Sequence, residues 1–155
     1  MNVRFAREDE LSRVNELREQ VNDLHAAGKP DIFKPEFSQA LRDRIRTIWD
    51  DPEQQIVVAE REGIVCGYAI LHHIQRPETL YAWGRAYLDI DEFGVDAAFR
   101  RQGAATAMMA FIRRYAAARG LHRLELNMWE FNQDALAFYE AAGFSTYRRF
   151  MELEL

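Results

Sequence analysis

The chain has 155 residues, 48% of them hydrophobic, which suits one domain over residues 1–155 with its own core. Its formal net charge of −5 argues against nucleic-acid binding, which needs a basic face, and no apolar run is long enough to span a membrane. The N-terminus lacks the apolar core of a secretory signal, and a single cysteine, Cys66, excludes an internal disulfide and a multi-cysteine metal site. We therefore expect a cytoplasmic protein with no metal and no membrane partner.

The first half of the chain predicts one strand, two amphipathic helices and a β-hairpin. The helices follow from apolar residues at three-and-four spacing, and the hairpin from a Glu-Gly pair between two runs of β-formers. Ser38 is placed to cap the second helix. In chain order the predicted elements are a strand Asn2–Ala6, a helix from Glu8 to about Leu24, a helix from Ser38 to about Trp49, and strands Gln55–Glu60 and Ile64–Ile74.

The second half predicts strands that alternate with helices. Glycines close both helices at their C-terminal ends. The elements are a strand Ala86–Val95, a helix Gly103–Arg119, a strand Arg123–Trp129, a helix Ala135–Ala142 and a final strand Tyr147–Leu155. Hairpin strands followed by a strand–helix–strand crossover predict an α/β protein (α+β with a mixed sheet) whose sheet is covered by helices.

One strand-to-helix turn carries most of the chemical information. The sequence Arg100-Arg101-Gln102-Gly103-Ala104-Ala105-Thr106 follows a strand and opens a helix. Free backbone N–H groups and the positive end of the helix dipole form an anion site there, most naturally for phosphate. The alternative is an ordinary turn, because many strand-to-helix turns carry Gly and Arg and bind nothing.

A second segment downstream favours the phosphate interpretation. It runs Asn132-Gln133-Asp134-Ala135-Leu136-Ala137-Phe138-Tyr139-Glu140-Ala141-Ala142-Gly143-Phe144. Together with the turn, it resembles the GNAT (GCN5-related) N-acetyltransferase superfamily, and the resemblance covers roughly residues 55–155 well. The resemblance implies the acyl-CoA N-acyltransferase fold, acetyl-CoA as cosubstrate, and transfer of an acetyl group to a primary amine by direct attack in a ternary complex.

The same resemblance assigns the residues that bind acetyl-CoA. Arg100 through Thr106 would hold the pyrophosphate, mainly through backbone N–H groups. Phe93, Gly94 and Val95 would line the pantetheine arm, where Gly94 suits either a β-bulge or a close approach of another backbone. Asn132 would cap the last helix, and its side chain would also reach the cofactor.

Catalysis requires an acid for the departing thiolate and a base for the amine. Tyr139 would be the acid, although a helix aromatic next to Phe138 is also explained by packing alone. Some family members place a Glu five residues before the matching Asn, but this chain has Asn127 there. That leaves Glu92, Asp91 or Glu130 as the base, and Glu92 is also interpreted as a group that attracts a cationic substrate.

Two further expectations concern function and assembly. A non-catalytic acyl-CoA-binding module on the same fold is the alternative to an enzyme. The acceptor is not identified, so polyamines, amino-sugar antibiotics, peptide N-termini and lysines all stay open. The apolar edge Phe150–Leu155 predicts a homodimer.

Overall fold

Five strands form a single mixed sheet in the computed structural model, which describes residues 1–155. Their order across the sheet is β1-β2-β3-β4-β5, with the first four antiparallel to their neighbours and β5 parallel to β4. The strands are β1 Asn2–Phe5, β2 Gln54–Arg61, β3 Ile64–Arg76, β4 Arg85–Val95 and β5 Leu124–Leu126.

Four helices cover the two faces of the sheet, as the sequence predicted. They are α1 Leu11–Gly28, α2 Gln39–Asp50, α3 Ala104–Ala118 and α4 Gln133–Ala141. Leu17 of α1 and Ile45 of α2 pack on one face with Ile70 of β3. Ile112 of α3 and Tyr139 of α4 pack on the other face, so the mixed α/β sheet is enclosed by a helical layer on each side.

Local signals in the sequence explain most element boundaries. The Ser38 hydroxyl accepts a hydrogen bond from the Leu41 N–H at 3.3 Å and so caps α2. Glu62 and Gly63 have φ values of 52° and 80°, which is the left-handed turn geometry that a two-residue hairpin requires. Helix α1 continues beyond the predicted end near Leu24 to Gly28, because Pro30 is the first residue unable to extend it.

Strand β5 is shorter than predicted, and this shapes the centre of the molecule. It pairs with β4 only from Leu88↔Leu124 to Ile90↔Leu126, although β4 runs on to Val95. The predicted strand Arg123–Trp129 therefore loses its last three residues. Beyond Ile90 the two chains part, and the edge of β4 that faces β5 has no strand partner.

The prediction of a final strand at Tyr147–Leu155 is wrong, because a single chain forms no strand there. Residues 145–155 form no helix or strand, and all of them are exposed. The apolar side chains of this stretch include Phe150 at 80% and Leu153 at 84% exposure. Alternating apolar residues specify a strand only where an edge is present to pair with, and the segment makes no main-chain hydrogen bond to β5.

Cys66 lies buried on β3, and burial raises the pKa of its thiol. None of the helices has the length and apolar character needed to cross a bilayer.

One carboxylate in the sheet makes stability depend on pH. Asp89 of β4 lies opposite His72 of β3 and Glu125 of β5. Burial, followed by the charges of Asp91 and Glu125, raises the pKa of Asp89 to about 6 from its usual value near 3.8. The folded state therefore binds this proton more tightly than the unfolded state, so folding is penalised above about pH 6 and the penalty disappears below about pH 4.

We predict that Asp89→Asn increases the free energy of unfolding at pH 7 by about 1–2 kcal/mol, allowing for the water that reaches this half-buried group. The gain should vanish near pH 4, where aspartate is protonated in both states. Urea unfolding at the two pH values measures it, with the exposed Asp23→Asn on α1 as the control for loss of a carboxylate elsewhere. An equal gain at both pH values would show that the effect is not electrostatic.

Candidate active site

The turn before α3 exposes a row of backbone N–H groups. Gly103 is the N-cap of α3 at φ +87°, and Arg101 has φ +61°, a value that is uncommon outside glycine. The N–H groups from Arg101 through Thr106 donate to no group of the protein, and Ala107 is the first residue of α3 that donates, to the Gly103 carbonyl at 3.0 Å. Alternating signs of φ and the helix dipole make this turn a concave anion site.

Arginine side chains add positive charge around this turn. Arg100 and Arg101 are exposed beside it. Arg61, at the end of β2, hydrogen-bonds the side-chain oxygen of Gln102, whose amide nitrogen donates to the Ala98 carbonyl at 3.1 Å. Arg61 was not predicted from the sequence, because only the fold brings the end of β2 next to the turn. Ala105 lies inside α3 with a negative φ, so its β-carbon causes no strain.

The end of β4 places two functional positions on opposite faces of the sheet. Phe93 stacks on Phe138 with ring centroids 5.9 Å apart and meets Tyr139 edge-on at 6.1 Å. Gly94 is buried on the other face, where a β-carbon would lie 2.7 Å from the Tyr68 ring and 2.8 Å from Val21. Close approach is therefore the reason for this glycine.

The β-bulge lies earlier in β4 than Gly94. The register with β3 shifts from Ile70↔Glu92 to Leu71↔Ile90, which leaves Asp91 as the extra residue. The bulge occurs at the level where β4 and β5 part. The result is a cleft that begins at Ile90 and ends at the turn before α3.

Tyr139 stands on the α4 side of this cleft. Its side chain is 9% exposed and packs between Phe93, Phe138 and Phe144. Burial raises the pKa of Tyr139 to about 12, so the phenol is neutral at physiological pH. Its hydroxyl has no hydrogen-bond partner in the protein and is available to a ligand. Complete proton transfer to a thiolate, whose pKa is about 8.5, would be uphill by roughly 3–4 pH units, whereas donating a hydrogen bond is not.

Asn132 begins the helix that carries Tyr139. Its side-chain oxygen accepts a hydrogen bond from the Ala135 N–H at 3.2 Å, which is the predicted N-cap. The cap fixes the start of α4 relative to the loop that follows β5.

Glu92 lies on the opposite face, held by α1. Its carboxylate accepts two hydrogen bonds from Arg18, at 2.9 and 3.0 Å, and one from the Tyr68 hydroxyl at 3.0 Å. Arg18 is buried and also donates to the Asn15 side chain and the Leu41 carbonyl, each at 2.9 Å. The Glu92 side chain keeps 25% of its surface exposed, so it can still meet a ligand.

Arg18 was not among the residues predicted from the sequence, although α1 contains a signal for it. Arg18 falls on the apolar stripe formed by Val14, Leu17 and Val21, where a charged side chain needs a buried partner. That partner could not be named from the sequence, because Glu92 lies far along the chain. The other candidate bases, Asp91 and Glu130, are exposed.

An aromatic cluster lies on the same face of the sheet as Glu92, at the end of α1. His25 at the end of α1 stacks on Phe33 at 5.1 Å, and Phe33 meets Trp129 edge-on at 5.0 Å. Phe131 lies 6.3 Å from His25 and packs directly against Gly28. Burial lowers the pKa of His25, opposed by the negative charge of Glu92. This cluster, His25–Phe33–Trp129–Phe131, joins α1 to the loop after β5.

Solved structures share this architecture. The chain is 26% identical to a mutant of the BH1408 protein from Bacillus halodurans, with 100% of this chain and 99% of that chain covered and a TM-score of 0.95. It is 26% identical to an acetyltransferase from Vibrio fischeri, with 83% and 97% covered and a TM-score of 0.66.

The aminoglycoside N-acetyltransferase AAC(6')-Iy, bound to the bisubstrate analogue CoA-S-monomethyl-acetylneamine, shares the fold at 16% identity, with 99% and 97% covered and a TM-score of 0.77. No match was found among curated proteins. The model of the Acetyltransferase (GNAT) family matches residues 6–144. The chain therefore belongs to the GNAT family of N-acetyltransferases, which use acetyl-CoA.

Proposed function

We propose that this enzyme transfers the acetyl group of acetyl-CoA to a primary amine by direct attack in a ternary complex. The observation that carries the proposal is the row of free N–H groups from Arg101 through Thr106, which opens onto the cleft between β4 and β5. A pyrophosphate fits such a row because it needs several donors and positive charge at once. We propose further that residues 1–155 act as one cytoplasmic domain.

Acetyl-CoA binding is assigned to the two walls of the cleft. The turn Arg100–Thr106, including Gln102, Gly103, Ala104 and Ala105, would hold the pyrophosphate. Phe93, Gly94 and Val95 would line the pantetheine arm, supported by the unpaired edge of β4 beyond Ile90. Asn132 would contact the cofactor from the start of α4.

Direct attack is favoured over a covalent relay. The only thiol, Cys66, is fully buried on β3, and burial raises its pKa, so the nucleophilic thiolate is disfavoured. The amine would therefore attack the thioester carbon itself.

Tyr139 and Glu92 would act from opposite faces of the sheet. The neutral Tyr139 hydroxyl would donate a hydrogen bond to the sulfur as negative charge develops there. A proton would reach the sulfur only as the phenol regains one from solvent, because the transfer alone is uphill. Glu92 would meet the amine, either taking its proton through water or attracting its cationic form. The three hydrogen bonds that Glu92 accepts from Arg18 and Tyr68 fix its position. They favour attraction of the cationic amine over removal of its proton.

The acceptor is proposed to be a cationic amine that enters between Glu92 and the His25–Phe33–Trp129–Phe131 cluster. Aromatic faces and a carboxylate together suit an ammonium group. Release of CoA should be measured with aminoglycosides, polyamines, peptide N-termini and lysine derivatives. Absence of amine-dependent CoA release throughout that panel would count against this acceptor class.

We also propose that the enzyme is a homodimer. Its exposed C-terminal side chains, which a monomer leaves in water, are Tyr147, Phe150, Met151, Leu153 and Leu155.

Gly103→Glu should weaken acetyl-CoA binding by at least about tenfold, because its carboxylate would occupy and repel the pyrophosphate position. Gly120→Glu is the matched control, since Gly120 also has a positive φ (+69°) and open space around its α-carbon but lies at the far end of α3. Calorimetry measures both. Equal affinities in the two folded variants would place the pyrophosphate elsewhere.

Tyr139→Phe removes one hydroxyl and keeps the ring packed beside Phe93. We expect kcat to fall by about 10²–10⁴-fold, roughly 3–5 kcal/mol of barrier, while acetyl-CoA affinity changes only a few-fold. Tyr115→Phe, on α3, controls for loss of a phenol away from the cleft. Near-normal turnover, measured where chemistry is rate-limiting, would mean that water protonates the thiolate.

Glu92→Gln separates the two roles of this carboxylate. If Glu92 is the base, the loss of kcat should shrink as pH rises and free amine accumulates. If it attracts a cation, KM for the amine should rise while kcat is kept. Asp91→Asn tests the alternative base at the neighbouring position, and thermal melting of Glu92→Gln checks that Arg18 is still accommodated. Wild-type kinetics of Glu92→Gln at every pH would remove Glu92 from the site.

A further inference from the structure

Helix α1 crosses the end of β4 and reaches past its open edge. Val21 packs on β4 at Gly94, where a β-carbon would lie 2.8 Å from the Val21 side chain. His25 follows Val21 by four residues, so the two lie one turn apart on the same side of α1. The ring of His25 then meets Phe131, in the loop after β5, edge-on at 6.3 Å. His25 therefore lies over the gap in which β4 and β5 part.

The side of the sheet that carries His25 lacks an obvious acceptor for the proton of the amine. In the proposed reaction the thioester lies in the gap, Tyr139 is on the α4 side and the amine approaches from the α1 side. There, Glu92 already accepts three hydrogen bonds from buried or nearly buried donors. Asp89 lies where β5 is still paired with β4, before the gap opens. His25 is the titratable group that reaches over the gap itself.

Packing holds the His25 ring in place and leaves its nitrogens free. The ring stacks on Phe33 at 5.1 Å with an interplanar angle of 25°. Neither ring nitrogen bonds to a group of the protein, and the one buried side-chain nitrogen or oxygen without a partner is Nε2 of His73. Both nitrogens of His25 are therefore accessible to a molecule in the gap.

We propose that His25 is the general base of the reaction and takes a proton from the amine that Glu92 attracts. This rests on the proposed acetyl transfer and supplies the proton acceptor that Glu92 does not. An ammonium gives one proton to a ring nitrogen of His25 and becomes a nucleophile. Its nitrogen then bonds to the thioester carbon, the C–S bond breaks, and the electron pair stays on the sulfur beside Tyr139. The new amide loses its extra proton to solvent, and His25 later does the same.

The charges around His25 agree with this role. Burial lowers the pKa of His25 below its usual value of 6.5, and the charge of Glu92 on β4 opposes that shift. The imidazole is therefore neutral at physiological pH, and Glu92 stabilises the imidazolium that forms after proton transfer. The other charged groups that flank it are Lys29 and Asp31, ion-paired at 3.7 Å just after α1, and the exposed Glu130 in the loop after β5.

A reactive analogue of the cosubstrate tests whether His25 reaches the reacting position without any knowledge of the acceptor. Bromoacetyl-CoA carries bromide on the carbon next to its carbonyl. A neutral imidazole within reach forms a C–N bond to that carbon, bromide leaves, and the ring loses a proton to solvent. Peptide mass analysis should find the adduct on His25, and excess CoA should prevent it. The exposed His122, two residues before β5, should stay unmodified.

The pH dependence of this labelling measures the protonation of His25 itself, because an imidazolium has no free electron pair. The rate should be constant above neutral pH and should fall at lower pH with an apparent pKa below 6.5. His25→Gln and His25→Phe should both abolish the adduct, and His25→Phe keeps a ring stacked on Phe33. Thermal melting checks that both variants fold.

Turnover separates a base from a packing residue. With spermidine or neamine as the acceptor, kcat of both His25 variants should fall by about 10²–10⁴-fold near neutral pH, with acetyl-CoA affinity kept. The loss should shrink at acid pH, where the wild-type imidazole is protonated too. A packing defect would reduce kcat by the same factor at every pH. His122→Gln is the matched control and should keep the wild-type kcat.

The outcomes separate this proposal from the proposed function. An adduct on Asp89 or Glu92 in place of His25, or no adduct while the analogue binds, would overturn the role of His25 and leave acetyl transfer standing. A labelling pKa above neutral, or a loss of kcat that does not vary with pH, would overturn it as well. An analogue that does not compete with CoA would count against the acetyl-CoA site and, with it, the base.

Discussion

Strands β4 and β5 are joined by only three residue pairs, and the site depends on where that pairing stops. If the parallel ladder continued past Ile90↔Leu126, the remaining N–H and C=O groups of β4 would bond to β5 and no cleft would exist. Because it stops, the last five residues of β4 keep an open edge between Tyr139 on one face and Glu92 on the other. The Asp91 bulge lies at this level and adds local twist to β4, which is consistent with the separation.

The turn before α3 is positively charged although the chain as a whole is negative. The chain carries a formal net charge of −5, yet Arg61, Arg100 and Arg101 gather around the turn before α3. Screening in physiological salt limits electrostatic attraction to about 8 Å, so a phosphate at the turn responds to these arginines and the free N–H groups more than to the net charge. The same locality would allow Glu92 to attract a cation on the opposite face of the sheet, as proposed above.

The sequence predicted the parts of the fold that depend on local signals. A few neighbouring residues determine each of four caps or turns, which are marked by Ser38, Gly63, Gly103 and Gly143. The helices and the first four strands follow from such signals. The length of β5 was not predictable in this way, because it depends on pairing partners. For the same reason Tyr147–Leu155 has the pattern of a strand but forms none within one chain. At the site, the turn and Tyr139 are adjacent to recognisable motifs, while Arg18 and Arg61 are brought in only by tertiary packing.

The Arg18–Glu92 pair shows why one carboxylate can serve the fold and the site together. Burying a guanidinium is costly unless its donors are satisfied, and breaking a buried pair by removing one partner typically costs about 3–5 kcal/mol. Asn15 and the Leu41 carbonyl satisfy one nitrogen of Arg18, but only Glu92 supplies the opposite charge. The position of Glu92 is thus set by α1 whether or not substrate is bound, at a point where part of its side chain still faces solvent. In the proposed reaction, an amine that approaches from that side would meet a carboxylate already oriented by the protein, so little reorganisation would be needed when it binds.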